Sequence, residues 1–260
     1  MLDNQLIVEK KDAVATLFIN RPEKKNAFTL QMWKALPEII QELDEDVEVK
    51  VLVIRGIDET AFAAGADISE FATVRSTSEG EEAYNEAVNE AERAILNFSK
   101  PSIAMIQKYC IGGGCILALS CDLRFSSESG IFAITPAKLG IIYTFQGTKN
   151  LVDLVGLSRA KDLLYSSRQI TVFEAYSYGL VDRIFAEEEI VSKTYEYVKL
   201  LISNSSQSVR GSKKIINSIV QGAFEESEEI KQMIVQSYGS MDYQEGIKAF
   251  LEKRKPVFRY

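Results

Sequence analysis

Three consecutive glycines, Gly112 to Gly114, open a segment whose other residues are those of a buried helix. The stretch reads IGGGCILALSCD, from Ile111 to Asp122, and each glycine inside a helix costs about 1 kcal/mol of stability relative to alanine. A strand-like apolar run, residues 102–107, leads into the glycines. Missing side chains allow another backbone segment or a ligand to approach closely. The fold must therefore place something against the start of this helix.

Length and composition indicate a globular enzyme with one main core. The 260 residues are enough for a substantial hydrophobic core and a smaller appended unit. The net charge of −7 argues against a nucleic-acid-binding protein, which usually carries a basic face. No apolar run reaches the ~18 residues of a membrane span, and the N-terminus lacks a signal-peptide pattern. We therefore expect a cytoplasmic protein without nucleic-acid or membrane partners.

Histidine is absent from the sequence. This absence removes the commonest general base, the commonest metal ligand and every Ser-His or Cys-His nucleophile pair. Cys110, Cys115 and Cys121 are odd in number and closely spaced, which is typical of buried reduced thiols in the cytosol. Their spacing, without a fourth soft ligand, is a poor match to a zinc site. The sequence therefore predicts no metal site.

Short β-branched and apolar runs in the first half of the chain predict strands. They are residues 13–19, 49–54, 102–107, 123–127 and 130–134. Between them, residues 29–43 and 79–98 have helical spacing, with Thr29 as N-cap of the first helix and Pro37 inside it. The acidic side of the second helix is interpreted as a solvated face.

From about Ser158 onward the pattern is mostly helical, with candidate helices at residues 187–203, 206–222, 225–238 and 243–253. A β-rich core over residues 1–195, followed by a helical region over residues 196–260, indicates an α/β fold whose tail is free to pack on a neighbour. The same alternation also fits a doubly wound sheet. Periodicity alone therefore leaves the topology open.

A second run of small residues follows another predicted strand. FAAGADI, residues 62–68, comes after the strand at 49–54, as the glycines come after the strand at 102–107. Both runs leave backbone N–H groups uncovered where a helix begins, and helix starts have unpaired donors. Two converging donors would form an oxyanion hole. The alternative is tight packing of helix on strand, but the two runs together favour the functional interpretation.

Several motifs together resemble the enoyl-CoA hydratase/isomerase, or crotonase, superfamily. They are NRPEKKNAF (20–28), AFAAGADISEF (61–71), IGGGCILALSCDLRFSS (111–127) and DYQEGIKAFLEKRKPVF (242–258). The resemblance implies a crotonase-like spiral of ββα units with a C-terminal helical trimerisation region. It also implies a homotrimer, or a homohexamer built as a dimer of trimers. The implied substrate is an acyl-CoA thioester, so that coenzyme A enters with the substrate and no separate cofactor is expected.

By this resemblance, the backbone N–H groups of Ala64 and Gly113 would hold the thioester oxygen and stabilise its enolate. Lys24, Lys25 and Ala27 would contact CoA, although solvated lysines are the alternative. The resemblance also implies that the adenine-side pocket is lined by Ala66, Asp67 and Ile68. It further implies that Phe250 and Lys253 reach the CoA of a neighbouring subunit.

The typical hydratase of this superfamily uses two glutamates, and this chain has Ile116 and Ala137 at their positions. Each acid–base group contributes about 10²–10⁴ in rate, and we find no substitute acid nearby in the sequence. Decarboxylation of a malonyl-type CoA ester needs no base, because the electrons of the breaking bond enter the thioester as an enolate. Residues 132–151 are similar to the same stretch of methylmalonyl-CoA decarboxylase. That similarity places Thr135 and Tyr143 in the active site, with a satisfied core position as the alternative.

Three functions therefore compete at the level of sequence. The first is a decarboxylating lyase for a malonyl-type CoA ester such as methylmalonyl-CoA. The second is an enoyl-CoA hydratase or isomerase of fatty-acid or related acyl-CoA metabolism. The third is an acyl-CoA-binding oligomer without chemistry.

Overall fold

The computed structural model describes residues 4–258 of the chain. The strands of this part are β1 (Leu6–Lys11), β2 (Val14–Ile19), β3 (Val51–Gly56), β4 (Ser102–Ile106), β5 (Tyr109–Ile111), β6 (Leu123–Ser127), β7 (Ile131–Ala133), β8 (Ile170–Thr171) and β9 (Arg183–Phe185). The helices are α1 (Leu30–Glu45), α2 (Phe71–Val74), α3 (Ser78–Asn97), α4 (Gly113–Ser120), α5 (Phe145–Val155), α6 (Leu157–Ser166), α7 (Val172–Tyr178), α8 (Ile190–Ile202), α9 (Ser206–Val220), α10 (Glu228–Tyr238) and α11 (Met241–Leu251).

Six strands form the main sheet in the order β1-β2-β3-β4-β6-β9. β1 and β2 pair in antiparallel fashion, and the other neighbouring strands of this sheet are parallel. The registers place Leu17 opposite Ile54 and Ile54 opposite Ala104. The apolar sequences of β2, β3 and β4 explain their central positions, because central parallel strands are covered on both faces.

Helices cover both faces of the main sheet. On one face, α1, α3 and α4 share a hydrophobic cluster that includes Trp33, Leu52 and Ile106. On the other face, α8 contributes Ile190 and Val198 to a second cluster. The α/β class predicted from the sequence is confirmed.

The predicted elements of the first half are present, with ends shifted by a few residues. α1 continues through Pro37 because buried side chains on both sides of the proline, among them Trp33 and Ile40, hold both halves of the helix in the core. From Ser158 onward the chain is mostly helical, as expected, with most of α6 and all of α7 to α11 in this region, but the patterns miss the short strands β8 and β9. The sequence patterns also miss β1 and β5. All four missed strands are edge strands of their sheets.

A second sheet has three strands in the order β5-β7-β8. β5 and β7 are parallel, with Tyr109 opposite Ile131 and Ile111 opposite Ala133. β5 leads directly into Gly112 and α4. This small sheet therefore fixes the position of the glycines relative to the segment that follows β7.

The C-terminal helices α9, α10 and α11 are thinly packed. Their buried residues are Gly211, Ile230 and Ala249 respectively, one in each helix. The boundary expected between residues 195 and 196 falls inside α8, and the division into two units stays a prediction. Among residues 4–258, no helix combines the length and the apolar character needed to cross a membrane.

Candidate active site

A cavity of about 340 Å³ lies between α3, the start of α4 and the segment that connects β7 to α5. Its walls contain both runs of small residues that the sequence singles out, together with Trp33 from α1 and Tyr84 from α3. The indole Nε1 of Trp33 donates a hydrogen bond to the hydroxyl of Tyr84 at 3.1 Å. Aromatic and aliphatic groups form most of the surface, as is usual for a small-molecule binding site.

The two runs of small residues are held together by backbone hydrogen bonds. The N–H of Ala63 donates to the carbonyl of Tyr109 at 3.0 Å, and the N–H of Ile111 donates to the carbonyl of Ala63 at 2.9 Å. A Cβ placed on Gly114 would lie only 2.4 Å from the carbonyl oxygen of Ala63. The glycine run at residues 112–114 therefore lacks side chains partly because the alanine-rich run at residues 62–68 approaches it this closely.

The predicted donor Ala64 is wrong. Its N–H already donates to the carbonyl of Lys25 at 2.9 Å, so it is not free for a substrate oxygen. Within residues 4–258 the N–H groups of Ala66 and Gly113 have no hydrogen-bond acceptor. A Cβ placed on Gly113 would lie 3.6 Å from the nitrogen of Ala66, so the two amides are neighbours. The neighbouring amides without an acceptor are thus those of Ala66 and Gly113, and the donor role of Gly113 stays a prediction.

Two glycines have left-handed backbone at this point, which explains their presence. Gly65 has φ = 107° and immediately precedes Ala66, whereas Gly112 has φ = 52° and immediately precedes Gly113. Glycine adopts such positive φ angles without the steric cost that other residues have. Each of these turns therefore orients the amide that follows it.

Asp67 supports this loop instead of contacting the cavity. Its carboxylate accepts hydrogen bonds from the N–H and hydroxyl of Ser69, at 3.1 Å and 2.6 Å, and from Arg21 at 2.9 Å. These bonds lower the pKa of Asp67 below its usual value, and the bond from the Ser69 hydroxyl has the largest effect. Ile68, the next residue, is half exposed and lines the cavity.

The three residues expected near CoA in the first motif lie outside the cavity walls. Lys24 and Lys25 are exposed, and the Lys25 ammonium lies 4.4 Å from the centre of the Tyr109 ring. Ala27 is partly buried, and its carbonyl accepts a hydrogen bond from Arg21. Their contact with CoA stays a prediction.

The two positions that lack glutamates differ in their surroundings. Ile116 is buried and lines the cavity, so an apolar side chain stands where the resemblance leads one to look for an acid. Ala137 is exposed in a 3-10 turn, and its neighbours Pro136 and Lys138 line the cavity in its place. Neither position offers a carboxylate.

Thr135 and Tyr143 both line the cavity. The Thr135 hydroxyl lies beside Gly112, 3.4 Å from where a Cβ on that glycine would be. The Tyr143 hydroxyl is buried and has no hydrogen-bond partner within residues 4–258. A tyrosine kept only for the core would have its hydroxyl satisfied, so this arrangement favours a role for Tyr143 at the cavity.

A buried carboxyl that the sequence interpretation missed lies behind the cavity. Glu92 belongs to α3, the helix interpreted as having a solvated acidic side, and only 1% of its surface is exposed. Burial raises the pKa of this carboxyl to about 7. One of its oxygens, Oε2, accepts a hydrogen bond from the hydroxyl of Thr144 at 3.1 Å, and Thr144 lines the cavity.

A sequence signal for Glu92 does exist. The buried residues of α3 recur at helical spacing, and Glu92 is the one acid among them, in the set Tyr84, Ala87, Val88, Ala91, Glu92 and Ile95. An unpaired acid within an apolar stripe is rare, because a buried charge is costly. The position of Glu92 in the stripe could therefore have marked it as a candidate.

Arg75 is a second residue that the sequence interpretation missed. It lines the cavity, forms a bidentate ion pair with Glu81, and stacks at 4.4 Å on Phe71 and 4.7 Å on Tyr84. Lys138 lines the same cavity and forms no ion pair with residues 4–258. The charge of Arg75 is neutralised by Glu81, so the positive charge that the cavity wall offers to an anionic group of a ligand is that of Lys138.

Phe250 lies in the last turn of α11, and Lys253 follows the end of that helix. Neither residue lines this cavity. Phe250 is 83% exposed, and Lys253 is also exposed. A role at the CoA of a neighbouring subunit stays a prediction for both residues.

Comparison with known proteins agrees with this geometry. The family model described as enoyl-CoA hydratase/isomerase matches residues 9–260. The chain is 33% identical over 253 residues to the short-chain-enoyl-CoA hydratase of Clostridium acetobutylicum, covering 97% of this chain and 96% of that protein. It is 33% identical over 259 residues to the crotonyl-CoA hydratase of Syntrophomonas wolfei, covering 99% of each.

Among solved structures, a protein of the enoyl-CoA hydratase/isomerase family from Hyphomonas neptunium matches with a TM-score of 0.95. The two sequences are 36% identical, and the match covers 98% of both chains. The crotonase-like fold with a C-terminal helical region is thereby confirmed. This chain belongs to the enoyl-CoA hydratase/isomerase, or crotonase, superfamily.

Proposed function

We propose that this chain acts on an acyl-CoA thioester through an enolate whose oxygen lies between the N–H groups of Ala66 and Gly113. The observation that carries the proposal is the pair of neighbouring amides without acceptors at the wall of the cavity. Such preorganised donors stabilise a developing oxyanion without reorganising during the reaction. A thioester enolate is the oxyanion that this superfamily leads one to expect.

Enoyl-CoA hydration or isomerisation is the reaction that we propose first. Two relatives that align with nearly the whole chain are named as enoyl-CoA hydratases, and the matching family model has the same description. These names support enoyl-CoA chemistry more than the decarboxylation favoured at the level of sequence. Since positions 116 and 137 are apolar, the proton transfer that either reaction requires must use another group.

Decarboxylation of a malonyl-type ester is the second candidate. Ile116 gives the cavity an apolar wall where an acid would repel a carboxylate, and Lys138 supplies positive charge. A substrate carboxylate held by Lys138 would leave as CO₂ while the enolate forms between the two amides. The Tyr143 hydroxyl could then orient the carboxylate or return a proton.

The test uses one preparation and three substrates. Crotonyl-CoA reports hydration, 3-butenoyl-CoA reports isomerisation and methylmalonyl-CoA reports decarboxylation, each followed by product analysis. We expect turnover of at least one of the two enoyl esters above that of methylmalonyl-CoA. CO₂ release alone would replace the first candidate by the second. A thermal shift with all three esters but no product would overturn both and support a binding protein.

We further propose that the protein assembles as a homotrimer or as a dimer of trimers through α9, α10 and α11. Support comes from the thin packing of these helices and their many exposed apolar side chains. In that assembly, Phe250 and Lys253 would reach the CoA of a neighbouring subunit.

A further inference from the structure

We propose that Glu92 supplies and takes back the proton of the reaction, and that it acts on the substrate through the hydroxyl of Tyr143. This inference rests on the proposed enolate chemistry, and it names the group that replaces the missing glutamates. Glu92 is not a wall residue of the cavity, whereas Tyr143 is. Its role is therefore that of a relay residue behind the group that touches the substrate.

The two polar atoms of this relay are both buried and both lack a partner. Within residues 4–258, neither Oε1 of Glu92 nor the hydroxyl oxygen of Tyr143 has a hydrogen-bond partner. A buried polar atom left in this state costs about 1–3 kcal/mol, so its presence calls for an explanation. The two atoms are not hydrogen-bonded to each other in this structure, although Glu92 is among the neighbours that raise the pKa of Tyr143. Catalytic hydrogen bonds often close only when the substrate is bound, and a proton that passes between the two atoms at that stage explains why both are left without a partner.

Thr144 decides which oxygen of Glu92 carries the proton. Its hydroxyl accepts a hydrogen bond from the N–H of Gly147 at 3.0 Å, as the N-cap of α5, and donates to Oε2 of Glu92. Because Oε2 already accepts this bond, the proton of the neutral carboxyl belongs on Oε1. That is the oxygen without a partner. The carboxyl is thus oriented with its proton free to be given away.

The surroundings keep this carboxyl able to exchange a proton near neutral pH. Burial is the main cause of its raised pKa, and it outweighs the opposing effects of the Thr144 hydrogen bond and of Arg93, the next residue on α3. α1 packs on α3 through apolar side chains of the shared cluster. The pKa of the Tyr143 hydroxyl is raised by burial and then by its neighbours, which are Cys115 of α4, Glu92 and Cys110 of β5.

The transfer step is balanced within these three groups. The Tyr143 O–H bond breaks as its proton forms a C–H bond at the α-carbon of the enolate, and the enolate electron pair makes that bond. The O–H bond of neutral Glu92 breaks at the same time and its proton goes to the tyrosine oxygen. Tyrosine is neutral before and after the step, and Glu92 ends as a carboxylate. The reverse sequence removes an α-proton, so one carboxyl serves both directions.

The experiment measures exchange of the α-protons of butyryl-CoA with deuterium in D₂O, followed by mass spectrometry between pH 5 and pH 9. Butyryl-CoA has no double bond and no carboxylate to lose, so exchange reports enolate formation and proton transfer alone. The variants are Glu92→Gln, which keeps the size of the side chain, and Tyr143→Phe. The matched control is Glu90→Gln, an exposed acid on the same helix. Binding of butyryl-CoA is followed in parallel by thermal shift.

We expect wild type and Glu90→Gln to exchange with a pH profile that inflects near 7. Glu92→Gln and Tyr143→Phe should each lose about 10²-fold or more in exchange rate while still binding the ester. The inflection should disappear in Glu92→Gln, which a merely structural role would not produce. Wild-type exchange rate and profile in folded Glu92→Gln would overturn the relay, as would a wild-type protein that binds butyryl-CoA without exchange. A wild-type protein that binds no CoA ester would instead overturn the proposed function.

Discussion

At Gly113 the proposed chemistry depends on a single backbone N–H, and two substitutions separate that donor from its surroundings. Gly113→Pro removes the N–H at the first position of α4, where a helix otherwise accepts proline. Gly113→Ala keeps the N–H and adds a Cβ at 3.1 Å from the Trp33 ring, so it controls for crowding. We expect Gly113→Pro to lose about 10²–10³ in turnover, the usual effect of removing an oxyanion-hole donor, and Gly113→Ala to lose much less. Equal losses in both folded variants would contradict the donor role.

Glu92 also makes a prediction about stability, which needs no substrate. Its pKa is about 7 in the folded protein against 4.5 for an ordinary glutamate, so the folded state binds the proton more tightly. The stability that this proton contributes is present below pH 4.5 and is lost as the pH rises through 7. Between pH 5 and pH 8, the unfolding free energy of wild type should fall by about 2–3 kcal/mol relative to Glu92→Gln.

Urea denaturation at several pH values measures this difference. The absence of histidine helps, because no histidine side chain titrates in the same range. A constant difference between wild type and Glu92→Gln from pH 5 to pH 8 would show that the carboxyl has an ordinary pKa. Glu90→Gln should follow wild type throughout, since Glu90 is exposed.

At the scale of elements, close packing of residues 61–66 against α4 favours glycine at position 114, although helix propensity favours alanine. Alanine is a better helix former than glycine by about 1 kcal/mol, so propensity alone predicts that Gly114→Ala stabilises the protein. The added Cβ would meet the Ala63 carbonyl at 2.4 Å and the Ala63 Cβ at 3.0 Å, and overpacking of this kind costs about 1–3 kcal/mol. We therefore expect a lower melting temperature and lower turnover. Gly239→Ala is the control, because its Cβ has only an ordinary contact at 3.7 Å.

The sequence predicts central strands well and edge strands poorly, for a physical reason. β2, β3 and β4 are largely buried and consist mostly of apolar residues, and β6 is also largely buried. β1, by contrast, is partly exposed at the sheet edge, and β5, β8 and β9 have at most three residues each. Such strands are defined by their hydrogen-bonded neighbours and leave little trace in local composition.

The site shows the same division between local and distant information. The glycine run and the alanine-rich run are visible in the sequence, and both line the cavity. The choice between Ala64 and Ala66 is not visible, because it depends on a hydrogen bond from Ala64 to the distant carbonyl of Lys25. Glu92 is likewise joined to the cavity wall by a hydrogen bond from Thr144, which belongs to a distant segment of the chain.

At the scale of the whole molecule, the tail carries many exposed large apolar side chains. Exposed large apolar side chains concentrate on the last three helices and their connections, at Ile216, Ile219, Val220, Phe224, Val235, Tyr238, Met241, Tyr243, Ile247, Phe250 and Leu251. Contiguous exposed apolar patches mark interaction sites, whereas scattered apolar residues are ordinary. The assembly proposed above would cover this surface with the same helices of neighbouring subunits.

The oligomeric state provides the last prediction. Sedimentation velocity at micromolar concentration should show a trimer or hexamer for wild type, because burying the apolar tail surface stabilises the assembly. Ile219→Lys and Phe250→Glu place charges on side chains that are 62% and 83% exposed in one subunit. They should shift the protein toward smaller species without unfolding it. Tyr165→Lys, at a 74% exposed position of α6 outside the three tail helices, should leave the assembly intact. A monomeric wild type, or equal effects of all three substitutions, would contradict assembly through the tail.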